Sequence, residues 1–453
     1  MWWLAGAGRR RIPGTLTTAG SAASLTLELD GAVTSAAGRL SDSLLGALPV
    51  VLGRTADERR VTLCDPRHSG RRTRLGKRGR VVEDTVTARY GLVGARHFPD
   101  GPAAAFTEFV FRTSHLERWV APARMLGAGE RRVDDDATVI THTFKVPKAI
   151  EVSLTQGQLT LEYGWAESSG VDEAVLRRPV SWRLQVPTPV TIDTLLTDYL
   201  WPLEMFLTFA CDCAVAAEDI RALRHRGSVM PTEFIDVLRP GSGRPSGRVP
   251  HGFEMLLTLT DVRDRLSQIL QAWMTAFEQL RVPVNLMLGL VVGPEMYLES
   301  RFLLLAQALE VFHRLQIGGT AYDPATWRGR IARIVEPLSD SDSAWVQEKL
   351  HWSNELTLQE RMEQLLTPVE EVAKEFLRPN YITKFKATRN YQTHFDPRLR
   401  TRAANDEDLY WLTEECFALM QLKLLELLGI AGPEAWSHMQ RTRRVQNLVA
   451  RRT

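Results

Sequence analysis

The spacing of apolar residues changes period once along this 453-residue chain, and that change limits the fold more than any other feature. From Gly14 to about Thr194 they gather in short runs: Gly14–Thr18, Ser24–Leu29, Pro49–Leu52, Arg60–Cys64, Phe106–Phe111, Thr138–Val146, Gln158–Tyr163 and Ser181–Val186. These runs are rich in Val, Leu, Thr and Phe and are punctuated by Gly, Pro, Asp and Ser, the pattern of strands in a sandwich or barrel. From Thr191 the spacing turns helical, with Leu195, Leu196, Tyr199, Leu200, Leu203, Phe206 and Leu207 in register. A chain of this length holds more than one core. The expected fold class is therefore α+β. An N-terminal antiparallel β-rich domain occupies 1–190, a mixed helical connector belonging to the N-terminal region occupies 191–293, and an all-α helical bundle occupies 294–453.

Within the connector, Arg239 to Gly252 reads as a mobile loop, since Gly and Pro interrupt any regular element there. The bundle shows four helical stretches. Glu295–Leu315 is closed by Gly318-Gly319. A second stretch runs from about Ser343 to Leu356 and resumes over Leu358–Leu366. The third, Asn380–Phe395, is stopped by Asp396-Pro397, because the residue before proline is pushed out of the helical region. The last, Asp406–Leu428, ends at Gly429. Its apolar residues lie all round (Leu409, Trp411, Leu412, Phe417, Met420, Leu424, Leu427, Leu428), which implies either a central helix or a dimer surface.

Composition excludes several classes. The longest uncharged apolar run, Val282 to Pro294, is too short to span a bilayer. Arg9, Arg10 and Arg11 follow Met-Trp-Trp-Leu, the wrong order for a secretory signal, so a cytoplasmic location with no membrane partner is expected. Cys64, Cys211, Cys213 and Cys416 are too few and scattered for a disulfide framework or a zinc site. No glycine-rich stretch follows a strand in a phosphate-loop pattern, so neither a metal nor a cofactor is expected. Net charge is +2, and 48 Arg against 8 Lys reflects a chain-wide preference for arginine, not a nucleic-acid footprint.

The segment with chemistry in it is Arg389-Asn390-Tyr391-Gln392-Thr393-His394-Phe395, in the third bundle helix. Cleaving RNA without a metal uses the neighbouring 2′-hydroxyl as nucleophile, a group that moves a proton near neutral pH, and a cation against the charge growing on phosphorus. Histidine suits the first role and arginine's planar fork the second. Spacing alone says little, since the chain has two Arg–His pairs with four to six residues between them. The other, Arg244 with His251, falls in the Pro/Gly/Ser loop, where nothing preorganises chemistry. Arg389 and His394 lie about 140° apart around an ideal helix, whereas Asn390 and His394 share a face. Two copies meeting across a dimer axis would reunite a guanidinium with an imidazole.

Three stretches in the bundle carry a resemblance: Leu298-Glu-Ser-Arg-Phe-Leu-Leu-Leu-Ala-Gln-Ala-Leu-Glu-Val-Phe-His-Arg314, Leu356-Thr-Leu-Gln-Glu-Arg-Met-Glu-Gln-Leu-Leu366 and Arg389–Phe395. In the N-terminal part it rests on Trp2-Trp3, Pro13-Gly-Thr-Leu-Thr17, Pro49-Val-Val-Leu-Gly-Arg54 and Val61-Thr-Leu-Cys64. Together these resemble the ApeA-like proteins, bacterial HEPN-domain proteins associated with defence against phage. The resemblance implies RNA as substrate, an abortive-infection outcome, a phage-derived trigger and Arg389 and His394 as catalytic residues. It implies Asn390 as the polar residue that often follows the arginine, and a sensing or restraining N-terminal domain. The leading expectation is an HEPN endoribonuclease acting as a homodimer. The alternative is a non-catalytic RNA- or protein-binding module in a defence or regulatory complex.

Two further features admit two readings each. In the first bundle helix Gln307, Glu310, His313 and Arg314 are linked by i+3 and i+4 spacings, so Glu310 either orients the site or belongs to a solvated ion-pair stripe. Between Arg67 and Arg80 seven of fourteen residues are basic. Arg71, Arg72, Arg74, Lys77 and Arg78 are candidate nucleic-acid contacts there, against the reading of a charged hairpin loop. The tail Arg441–Arg452, with five arginines, is open in the same way.

Overall fold

The structure, a computed structural model, describes residues 1–5, 11–18, 25–32, 48, 50–76, 79–120, 127–134, 137–169, 174–225, 232–240, 248 and 250–452. They form two units. One comprises Met1–Leu207, Ala214–Gly252 and Thr258–Gln271; the other comprises Thr208–Cys213, Phe253–Leu257 and Ala272–Thr453.

The first unit is built on a ten-stranded antiparallel sheet. Its strands are β1 (Trp2–Leu4), β2 (Val51–Arg54), β3 (Arg60–Cys64), β4 (Tyr90–Gly94), β5 (Ala105–Thr113), β6 (Ile150–Leu154), β7 (Gly157–Tyr163), β8 (Val180–Thr191), β9 (Ala217–Arg224) and β10 (Glu233–Leu238). They pair in the order β1-β2-β3-β4-β10-β9-β5-β8-β7-β6. A four-stranded sheet adds Gly14–Thr17, Leu25–Leu29, Gly79–Ala88 and Arg67–Gly76, in that order. Alternation sets which face is buried: Leu25, Leu27 and Leu29 are buried while Glu28 faces solvent. Those leucines meet Trp2, Leu4, Leu63 and Val86 in one apolar cluster drawn from both sheets. A second group stacks Trp119 against Trp182 and Phe206, with ring centroids 6.2 and 6.3 Å apart.

Each β-run read from the apolar spacing coincides with a strand. β9 and β10 were not anticipated, because Ala217-Glu-Asp-Ile-Arg-Ala-Leu-Arg224 is composed of helix formers. Pairing with β5 on one side and β10 on the other overrides that preference. The basic segment after Arg67 is likewise no loop: Arg67–Gly76 pairs along its length with Gly79–Ala88. Most of the Pro/Gly/Ser segment, Arg244 included, lies outside the described residues.

The helix Leu266–Val292, whose residues from Ala272 on belong to the second unit, kinks at Leu280 (φ −106°, ψ 19°), three residues before Pro283, whose ring and missing N–H spoil the preceding turn. The helices from Leu298 onward are α1 (Leu298–Gln316), α2 (Pro324–Val335), α3 (Asp340–Leu350), α4 (Leu358–Leu366), α5 (Tyr381–His394), α6 (Asp406–Leu427), α7 (Gly432–Met439) and α8 (Arg443–Ala450). Every residue of α6 from Leu412 to Leu425 is buried, against α1, α7 and α8. Its all-round apolar surface is thus the mark of a central helix, and no dimer surface is needed to explain it. Glu414 and Glu415, buried in α6, are matched by Arg444 and Arg378. The arginine tail is accordingly spent within the unit: Arg444 lies over the Phe417 ring, 3.7 Å from its centroid, and Arg451 over Trp411. Helices α2 and α3 pack on each other and bury none of their residues. No helix among the described residues is long and apolar enough to cross a membrane.

Candidate active site

Helix α5 is held in place by its aromatic residues. Phe385 is fully buried, edge-on to Phe302 of α1 (5.8 Å) and stacked with Tyr381 (5.8 Å). One turn beyond Phe385 stands Arg389. Its Nε donates to Glu310 Oε1 at 3.0 Å and its Nη2 to Glu310 Oε2 at 3.4 Å, while Nη1 donates to Asn390 Oδ1 at 3.4 Å. A guanidinium has five N–H groups in one plane. Glu310 takes the Nε side and Asn390 a third N–H, so one N–H on each Nη is left over. Uncommitted N–H groups on a guanidinium are suited to phosphate oxygens.

Glu310 is thus paired with Arg389 across two helices and does not stand in a solvated stripe along α1. Its neighbours on α1 divide: Gln307 and Arg314 are exposed, whereas His313 is fully buried. His313 Nδ1 accepts from Arg361 Nη1 (3.3 Å), and its Nε2 donates to Gln364 Oε1 (2.8 Å), which defines a neutral imidazole. Burial holds its pKa below the usual histidine value, against an upward pull from Gln364 and with the Arg361 charge adding to the fall. Arg361 also donates to the Leu356 carbonyl and to Glu355, which in turn binds Arg314. A hydrogen-bonded layer thus ties α1 to α4. Arg361 and Gln364 were not anticipated; the Thr357–Glu360 capping box that opens α4 was the legible signal next to them.

His394 ends α5. Phe395 follows in the left-handed region (φ 52°), and its N–H bonds the Tyr391 carbonyl at 2.7 Å. The chain then folds back, and the Ala404 N–H donates to Thr388 Oγ1 at 2.8 Å, one residue before Arg389. His394 is exposed, and among the described residues nothing hydrogen-bonds its imidazole. Within one chain the structure brings Arg389, Asn390 and Glu310 together and leaves His394 on another side of the helix.

Family comparison now decides the class. Residues 1–273 match the model of ApeA N-terminal domain 1, and residues 303–432 match Apea-like HEPN. The chain belongs to the ApeA-like HEPN family of defence proteins. Arg389, His394, Asn390 and Glu310 all fall inside the HEPN match, as do Arg361 and Gln364. Neither a curated protein nor a solved structure matches the chain significantly.

The basic residues proposed from sequence lie outside the HEPN module and are divided by the structure. Arg71 donates through Nε (2.6 Å) and Nη2 (2.8 Å) to Asp84, whose side chain is inaccessible to solvent and also faces His68 at 3.3 Å. Its Nε and Nη2 are thereby committed to a carboxylate of the β unit. Arg72 is exposed opposite Glu83. Arg74 lies on the strand Arg67–Gly76, and Lys77 and Arg78 lie outside the described residues.

Proposed function

We propose that the HEPN module is a metal-independent endoribonuclease acting in abortive infection, with Arg389 and His394 as its catalytic residues. The observation that carries this reading is the Arg389 guanidinium. It is held by Glu310 and Asn390, with two N–H groups left over, five residues before an exposed histidine on the same helix. In the reaction the 2′-oxygen attacks phosphorus and loses its proton to a histidine. The bond to the 5′-oxygen breaks, and that oxygen is protonated as it leaves. The products are a 2′,3′-cyclic phosphate and a 5′-hydroxyl. Arg389 stabilises the charge on the non-bridging oxygens. Since the two side chains diverge by about 140° on one helix, the working site takes Arg389 from one chain and His394 from a second, in a homodimer. The N-terminal domain restrains the module until a phage-derived trigger arrives.

The test uses full-length protein, an RNA substrate and excess chelator. Wild type cleaves and leaves cyclic-phosphate ends, while Arg389→Ala and His394→Ala each lose on the order of 100-fold or more. Mixing the two inactive variants restores part of the activity. Equal RNA loss in wild type and His394→Ala favours a module that binds RNA without cutting it. Activity abolished by chelator refutes the mechanism, and failure of the mixture to recover refutes the cross-chain pairing.

A further inference from the structure

At one end of the ten-stranded sheet, a cavity of about 440 Å³ opens where three neighbouring strands finish or begin. It lies between the start of β5, the last residues of β9 and the far end of β8. The β8–β5 register slips between Gln185 and Val190, and Pro189 in that bulge forms part of the wall. Bulges re-aim strands in this way beside binding sites. The remaining wall is the segment joining β4 to β5, which turns at Gly101 (φ 39°). A Cβ at Gly101 would meet Val50 at 2.7 Å, so this turn requires glycine.

The chemistry of the wall is asymmetric. Phe98, Phe106, Pro189 and Leu223 supply apolar surface, and Arg96 and Arg224 supply positive charge. Arg96 stacks over Phe98, 5.5 Å from the ring centroid. Its Nε pairs loosely with the Glu233 carboxylate at 3.9 Å, and about a third of the side chain is exposed. Arg224 makes no hydrogen bond or ion pair among the described residues. Glu108 is gripped by Arg183 and His225, and the other nitrogen of His225 meets Thr232 Oγ1 at 3.1 Å. Asp100 is the carboxylate in the lining itself. His97 donates from Nδ1 to the Val61 carbonyl at 3.1 Å, which leaves Nε2 as an acceptor. Burial lowers its pKa, and the Arg60 charge adds to the fall against the pull of the Val61 carbonyl.

Arg96 and Arg224 set two positive charges in the lining against the one carboxylate of Asp100, and an anion complements that excess. A site of this volume exceeds inorganic phosphate and suits a small organic ligand. We propose that this cavity binds a phosphate-bearing small molecule of mononucleotide size, with its phosphate on Arg96 and Arg224, its flat body against the apolar wall and a hydroxyl or amine donating to His97. The assignment stands apart from the nuclease reading, so the two fail separately.

The experiment is isothermal titration calorimetry on full-length protein carrying His394→Ala, with AMP, GMP, CMP, UMP, adenosine and inorganic phosphate as probes. At least one mononucleotide binds once per chain, about tenfold or more tighter than phosphate or adenosine. Arg224→Ala, at an exposed position, weakens it by about tenfold or more. Arg96→Lys, which keeps the charge but not the fork, also weakens it, while its melting temperature shows that the domain is folded. Binding no tighter than inorganic phosphate overturns the assignment. So do binding of adenosine as tight as that of its nucleotide, and affinity unchanged in both arginine variants.

Discussion

Glu310 is the residue whose replacement separates an oriented arginine from one that is merely present. The pair with Arg389 is partly solvated, with 29% of the arginine side chain and 19% of the glutamate side chain exposed. Its gross attraction at 4 Å in a medium of dielectric 20 is about 4 kcal/mol. Solvent screening and the desolvation of both groups leave a net of about 1–2 kcal/mol. Glu310→Gln keeps one acceptor for the arginine but removes the charge, and costs about 1 kcal/mol of stability. Glu310→Ala removes both hydrogen bonds and costs about 2 kcal/mol. If the guanidinium must be held to meet the phosphate, kcat falls by about tenfold for each 1.4 kcal/mol of lost orientation. Removing a negative charge beside the site also favours RNA binding, so KM stays level or drops while kcat falls. A residue that only stabilises the bundle does not produce that split. Steady-state cleavage of a fluorogenic RNA, with melting temperatures measured in parallel, reads it directly, and Glu310→Asp recovers part of kcat. The reasoning is refuted if both variants keep kcat within twofold of wild type while Arg389→Ala is inactive.

Three other expectations follow from the packing and electrostatics. Phe385→Ala removes the buried ring that seats α5 on Phe302 and costs about 3–5 kcal/mol, measured by chemical denaturation; a cost under 1 kcal/mol contradicts the anchoring role. His313 has a lowered folded-state pKa, so the unfolded chain takes up its proton first as pH falls. Its contribution is fully present above about pH 6.5 and is lost as pH drops below that value. Denaturation curves at pH 7.5 and 5.5 therefore diverge less in His313→Gln than in wild type. Arg71→Ala leaves the buried Asp84 without its guanidinium and costs about 3 kcal/mol, whereas Arg72→Ala at the next position stays within about 0.5 kcal/mol. Equal melting temperatures for the two variants contradict the role of Arg71 as partner of the buried Asp84.

The amino-acid sequence by itself determined the kinds of element and their order. Period-two runs such as Leu25-Thr-Leu-Glu-Leu29 have one apolar face and no use for it outside a sheet. The run from Leu412 to Leu425 is apolar all round, which in sequence leaves a central helix or a dimer surface. Arg389 and His394 were legible because helix, proline stop and residue chemistry are all local. Tertiary structure alone decided what those residues touch. Glu310 is 79 positions from Arg389, and which of its two readings holds depends on how α1 packs on α5. Strand β9 carries helix-forming residues and becomes a strand only because β5 and β10 offer it hydrogen bonds on both edges. Arg71 looks like its basic neighbours in sequence, yet a buried Asp84 across the hairpin takes its fork. In each case a long-range partner sets the free energy of the local choice, and such partners leave no periodic trace in the chain.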